Sequence, residues 1–82
     1  RLRWPVMPSL RSVSGKTCIK ILCNRFGFSI ARTKGSHVVL RKESLTGSIG
    51  TVVPLHSTLK IGTLRGVLEL AQISEEDFAG YL

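Results

Sequence analysis

The stretch that decides the fold is Phe28-Ser29-Ile30-Ala31-Arg32-Thr33-Lys34-Gly35-Ser36-His37-Val38-Val39-Leu40-Arg41. Phe28, Ile30 and Arg32 alternate with Ser29, Ala31 and Thr33, the two-residue period of a strand. Gly35-Ser36 carries a turn signal, and His37 to Arg41 is rich in β-formers. Together they read as a β-hairpin, tight at Lys34-Gly35-Ser36. On the return strand His37, Val39 and Arg41 share one face while Val38 and Leu40 share the other. With Val38 and Leu40 against a core, His37 and Arg41 project together from the open side.

Upstream, Ser14 has the character of a helix N-cap, with Val13 and Cys18 placed to form a hydrophobic staple. Ile19, Leu22, Cys23 and Phe26 follow at helical spacing, and Gly27 supplies a left-handed stop. A helix over 15–26 is expected. Downstream, polar residues with Gly47 and Gly50 read as a loop between Lys42 and Gly50. Thr51-Val52-Val53 then makes a third strand that Pro54 ends. Gly62-Thr63 opens a second helix, with Thr63 as N-cap and Leu64, Val67, Leu68 and Ala71 as its buried stripe. Gly66 weakens that helix by about 1 kcal/mol relative to Ala. Ser74 and Asp77 resemble a capping box that starts a short last turn, in which Phe78 and Leu82 dock.

The class is α+β in the order α-β-β-β-α: a three-stranded antiparallel sheet with two helices on one face. Double-stranded-RNA-binding domains share that order, which by itself is an analogy of fold and carries no function.

The 82 residues suit a single domain over 7–82. Residues 1–6 have no period and end before a plausible natural start at Met7, so they read as an upstream or non-native extension outside the fold. Trp4 offers no usable context. The net charge of +7 is unevenly spread: residues 1–65 carry +11 and residues 66–82 carry −4. A basic body with an acidic end points to a polyanion partner, nucleic acid before membrane, against the plainer reading of a merely soluble surface. Cys18 and Cys23 lie five apart on one helix, about 500° around it and so on different faces. That spacing argues against a disulfide, and two thiols alone make no zinc site. Reduced cysteines, with no signal peptide and no membrane-spanning run, point to a cytoplasmic protein with no membrane partner.

Few groups are left to carry chemistry. Two-metal phosphodiester cleavage needs clustered carboxylates, and the first 65 residues offer Glu43 alone. No metal site is expected. Gly15-Lys16-Thr17 lacks the earlier glycine and the preceding strand of a phosphate-binding loop. What remains is His37, beside a tight turn, with Arg32, Lys34 and Arg41 near in sequence. RNA carries its own nucleophile, the 2′-hydroxyl, so a site cutting it needs a proton-transfer group and positive charge. Imidazole suits that task at neutral pH. The alternative is a hairpin histidine that only bonds a backbone carbonyl. His56 either reaches the same face as a second acid–base group or caps the sheet edge, the latter being favoured. Lys60 and Arg65, with Arg32, Lys34, Ser36 and Arg41, are candidate phosphate contacts or ordinary surface groups.

These residues resemble a known family. Ser12-Val13-Ser14-Gly15-Lys16, Ile19-Lys20-Ile21-Leu22 and Phe26-Gly27-Phe28 look like the opening of HicA-type mRNA interferase toxins. Lys34-Gly35-Ser36-His37 looks like their catalytic hairpin, and Val53-Pro54-Leu55-His56 with Gly62-Thr63-Leu64-Arg65 like their third strand and second helix. The resemblance covers about Met7 to Phe78, and the Lys42–Gly50 connection reads as longer than the short turn of the family. It implies a double-stranded-RNA-binding-like fold, cleavage of mRNA without metal or cofactor, and inhibition by a HicB-type antitoxin. It assigns catalysis to His37, with Gly35 and Ser36 shaping the turn. The alternative is a non-catalytic RNA-binding module on the same fold.

Overall fold

A computed structural model describes residues 10–82. The readings of residues 1–6, of Trp4 and of Met7 as a start lie outside the described residues. From there the chain runs α1 (Gly15–Arg25), β1 (Ser29–Lys34), β2 (His37–Ser44), β3 (Gly47–Pro54), α2 (Ile61–Ala71) and α3 (Glu75–Ala79).

The start of α1 follows from its cap. Ser14 Oγ accepts from the Thr17 N–H at 3.0 Å, satisfying one of the helix's orphan donors. Val13 and Cys18, the two arms of the expected staple, are both in the core. Phe26 closes α1 as its C-cap, one residue earlier than its periodicity suggests. Gly27 at φ +78° then reverses the chain. The Phe28 N–H returns to the Leu22 carbonyl at 3.1 Å, and its ring is buried.

The sheet is antiparallel with order β1-β2-β3. Lys34 pairs with His37, leaving Gly35-Ser36 as a two-residue loop whose first residue sits at φ +60°. That is the glycine-first turn whose twist matches a hairpin. Ile30 pairs with Leu40 and Arg32 with Val39, so Ala31 is the extra residue of a bulge. This corrects the simple alternation. Opposed residues share a face, so Ile30 lies on the helix-covered side and Arg32 on the other. The bulge breaks the period that had put Phe28, Ile30 and Arg32 together.

A second correction concerns Lys42 to Gly50, which is strand on both sides of a tight turn and not a loop. Pairing runs unbroken from His37↔Pro54 to Ser44↔Gly47, turned by Leu45-Thr46. Ser44 Oγ donates to the Gly47 carbonyl at 2.6 Å, and Gly47 takes φ +128°. The sequence hides this because the hairpin end is held by backbone pairing. Only Ile49 there packs toward the core, and Leu45 at the tip is fully exposed.

Helix α2 begins at Ile61 with Lys60 as N-cap and no side-chain capping bond, so Thr63 lies inside the helix. Tertiary anchoring replaces the cap. Leu59 is buried and its N–H donates to the Val13 carbonyl at 2.7 Å, while the Leu64 N–H closes the first turn on Lys60 at 2.9 Å. The expected stripe Leu64, Val67, Leu68 and Ala71 is buried. It packs with Cys18, Ile21 and Leu22 of α1 on Val38, Leu40 and Val53 of the sheet, forming one core on one sheet face. Thr51, also inside, donates from Oγ1 to the Val67 carbonyl at 2.8 Å. Ser74 caps α3 by accepting from the Asp77 N–H at 3.1 Å. Phe78 docks as expected, whereas Leu82 stays exposed.

Candidate active site

The sheet face away from the helices is set by register. Lys34, His37 and Pro54 form one cross-strand row; Arg32, Val39 and Val52 form the next; Ser29, Arg41 and Gly50 form a third. Neighbours within a row are about 4.8 Å apart and successive rows about 7 Å apart. The bulge at Ala31 therefore brings Arg32 one row from His37, beside Lys34. Val38 and Leu40 are buried while His37 and Arg41 are exposed, the division that strand alternation requires.

The side chains differ in how free they are. Arg41 Nη2 donates to Ser48 Oγ at 3.0 Å, and its Nε lies 3.6 Å from Glu43 Oε2. Ser48 Oγ in turn donates to the Glu43 carboxylate at 3.3 Å. Arg41 is thus oriented along the face by Glu43, through a solvent-exposed pair of small net value. Arg32 and Lys34 have no side-chain partner among the described residues. Neither has His37, whose ring makes no bond to any described backbone carbonyl. The plainer reading of His37 as a turn-bonding residue loses its contact.

A set of backbone bonds ties the His37 turn to two other segments. The Leu55 N–H donates to the Ser36 carbonyl at 2.6 Å, continuing the β2–β3 pairing past Pro54. The Gly15 N–H donates to the His56 carbonyl at 2.9 Å. Gly15 must be glycine for this approach: a Cβ there would overlap the Pro54 carbonyl oxygen and stand 3.0 Å from Leu55 Cα. The start of α1, the hairpin turn and the loop after β3 are thereby held at one end of the molecule. His56 is exposed and, like His37, its ring has no hydrogen bond among the described residues. Its backbone is what is fixed, and the expected edge-capping role has no side-chain contact behind it.

Lys60, at the head of α2, is exposed at the close of the same loop. Arg65 does not join the group. Its Nε meets Glu75 Oε2 at 3.1 Å, beside the groove between α2 and α3. The eleven residues of α2 carry the chain about 16 Å from Lys60 toward the acidic segment of Glu75, Glu76 and Asp77, with Glu69 in the last turn of α2 itself. Lys16, exposed beside Gly15, is a cation of this end, weighed from the sequence only as part of a phosphate-binding loop and not as a partner of His37. Only the long-range Gly15–His56 bond reveals it, and no local pattern could.

Other chemistry finds little support. Burial pushes the Cys18 thiol up to about 12, and burial also raises Cys23, so neither is a ready thiolate. No three His, Cys, Asp or Glu side chains gather as a metal-holding group among the described residues. No described helix is long and apolar enough to cross a membrane.

The match that accompanies this geometry spans most of the fold. Residues 15–73 match the family model described as HicA toxin of bacterial toxin–antitoxin, a span that holds α1, the whole sheet, α2 and both histidines. Comparison with curated proteins and with solved structures gave no significant match.

Proposed function

The chain belongs to the HicA toxin family of bacterial toxin–antitoxin pairs, and from that premise we propose that it is an endoribonuclease that cuts mRNA with His37. The observation that carries the proposal is His37 itself: exposed, without a hydrogen bond among the described residues, in the row of Lys34 and one row from Arg32. A phosphodiester laid on this face meets a proton-transfer group and two unpaired cations at once. His37 takes the proton of the ribose 2′-hydroxyl as that oxygen attacks the adjacent phosphorus. Lys34 and Arg32 stabilise the charge gathering on the non-bridging oxygens. Gly35 and Ser36 shape the turn that presents the ring, and Arg41 and Lys60 extend the phosphate path. A proton-transfer group of this kind is worth about 10²–10⁴-fold in rate. The nucleophile comes from the substrate and the acid–base group from the chain, so the step draws on no metal or cofactor.

A toxin of such a pair has an antitoxin partner. We propose that a HicB-type antitoxin silences this one by covering the His37 face, drawn by its positive charge. Action on mRNA fits a protein of the cytoplasm.

The experiment is His37→Ala. The variant is expected to lose RNA cleavage and growth arrest while keeping RNA affinity and antitoxin binding. A wild-type chain that binds RNA but never cuts it would replace the enzyme with a binding module.

A further inference from the structure

Beyond β3 the chain carries a second histidine toward the first. Pro54 stands opposite His37, and the Leu55 N–H reaches the Ser36 carbonyl, so the strand course persists past the end of β3. Extended over the next two residues, which lie beyond β3 itself, the same alternation turns Leu55 to the side of Ser36 and returns His56 to the side of Pro54 and His37. Two residues of strand rise and one interstrand step put the two Cα atoms about 8 Å apart. The Gly15 N–H fixes the His56 backbone there at 2.9 Å, which holds the residue without using its ring. Both imidazoles are exposed and have no hydrogen bond among the described residues. The cations at this end are Lys34 and Arg32 on β1, Lys16 at the start of α1 and Lys60 at the start of α2, with Arg41 two rows farther along β2. The one carboxylate that β2 adds to this face, Glu43, is held by Arg41 at 3.6 Å and stands six residues from His37, about 20 Å along the strand.

We infer that His56 is the second proton-transfer group of this site, giving its proton to the leaving 5′ oxygen. The inference rests on the ribonuclease reading above and completes its step. His37 removes the 2′-hydroxyl proton, the 2′ oxygen forms a bond to phosphorus, and the phosphorus–5′ oxygen bond breaks. The electron pair of that bond leaves on the 5′ oxygen, which His56 protonates. The products are a 2′,3′-cyclic phosphate and a 5′-hydroxyl, with one proton taken up and one released. A gap of this size between two ring-bearing positions admits one phosphorus centre with a hydrogen bond on each side.

The test separates acid from base by the leaving group. An oligoribonucleotide containing a mapped cut is compared with the same strand bearing sulfur in place of the 5′ bridging oxygen. A thiolate departs without protonation. His56→Ala is expected to cut the oxygen strand about 10²–10⁴-fold more slowly than wild type, yet to cut the sulfur strand within about tenfold of it. His37→Ala is expected to be slow on both. His56→Gln keeps a polar side chain that cannot donate a proton to the leaving group as imidazolium does, and is expected to match His56→Ala; should His56→Ala fail to fold by circular dichroism, the glutamine variant carries the same comparison. Equal loss on both strands, wild-type rates on the oxygen strand, or recovery by glutamine would each overturn the assignment of His56. A wild-type chain that does not cut, or a His37→Ala that cuts normally, overturns the nuclease reading and this inference with it.

Discussion

Gly15 and Gly66 both lie in helices, and alanine at each should act in opposite directions. Helix propensity alone favours Ala over Gly by about 1 kcal/mol at an interior position. At Gly66 a Cβ meets nothing within 4 Å, so Gly66→Ala is expected to stabilise by about 0.5–1 kcal/mol. At Gly15 the new atom would overlap the Pro54 carbonyl oxygen and stand 3.0 Å from Leu55 Cα and 3.1 Å from the Pro54 carbonyl carbon. All three are backbone atoms, which cannot rotate aside. Relief requires the start of α1 to back away from the loop, at an overpacking cost of about 1–3 kcal/mol. It also stretches the Gly15–His56 bond, worth about 1 kcal/mol. After the propensity gain, Gly15→Ala should destabilise by about 1–3 kcal/mol, a large share of a small domain's stability. Urea unfolding measures both variants, provided the slope against denaturant is unchanged. A Gly15→Ala as stable as wild type would show that α1 does not press on the loop that carries His56.

Other expectations follow from single residues. Thr51→Val loses the 2.8 Å bond to the Val67 carbonyl and should destabilise by about 1 kcal/mol despite its added apolar atom, as read by denaturant midpoint. Cys18 has a folded pKa raised from 9.0 to about 12, so the folded state holds the proton more tightly. Its contribution is complete below pH 9 and is lost as pH rises toward 12, at about 1.4 kcal/mol per pH unit. Stability curves for wild type and Cys18→Ala between those limits should differ in slope by that amount, and parallel curves would refute the burial of the thiol. His37→Ala, at an exposed site without partners among the described residues, should leave stability within about 0.5 kcal/mol. A larger loss by thermal or urea melting would mean that the ring supports the fold.

Local chemistry was legible in the sequence wherever one short segment decided the outcome. Ser14, Gly27 and Ser74 mark their helix ends through caps and φ values that the residue types dictate. The two helical stripes and the Val38/Leu40 alternation mark the buried face, and they leave His37 and Arg41 on the other. The rest depends on contacts between distant segments. Nothing in Ile30-Ala31-Arg32 announces a bulge, because register is set by what lies across the strand. Lys42 to Gly50 lacks an apolar period because that end of the hairpin lies largely outside the core and is held by backbone pairing. Helix α2 is already under way before Thr63 has a chance to cap it, since Leu59 is anchored to Val13. The candidate site divides in the same way. His37 and its neighbours are readable from one hairpin, whereas the company of Lys16 and His56 is not, and Arg65 is drawn away by Glu75.

The most direct measurement is the chemistry of the ends left on cut RNA. Purified protein acting on RNA in EDTA should leave 2′,3′-cyclic phosphate and 5′-hydroxyl termini, and a 2′-O-methyl group at the cut position should abolish scission there. Termini bearing 3′-hydroxyl and 5′-phosphate, or cutting that ignores the methyl group, would mean that water and not ribose attacks phosphorus, and that His37 does not do what its position on the open face implies.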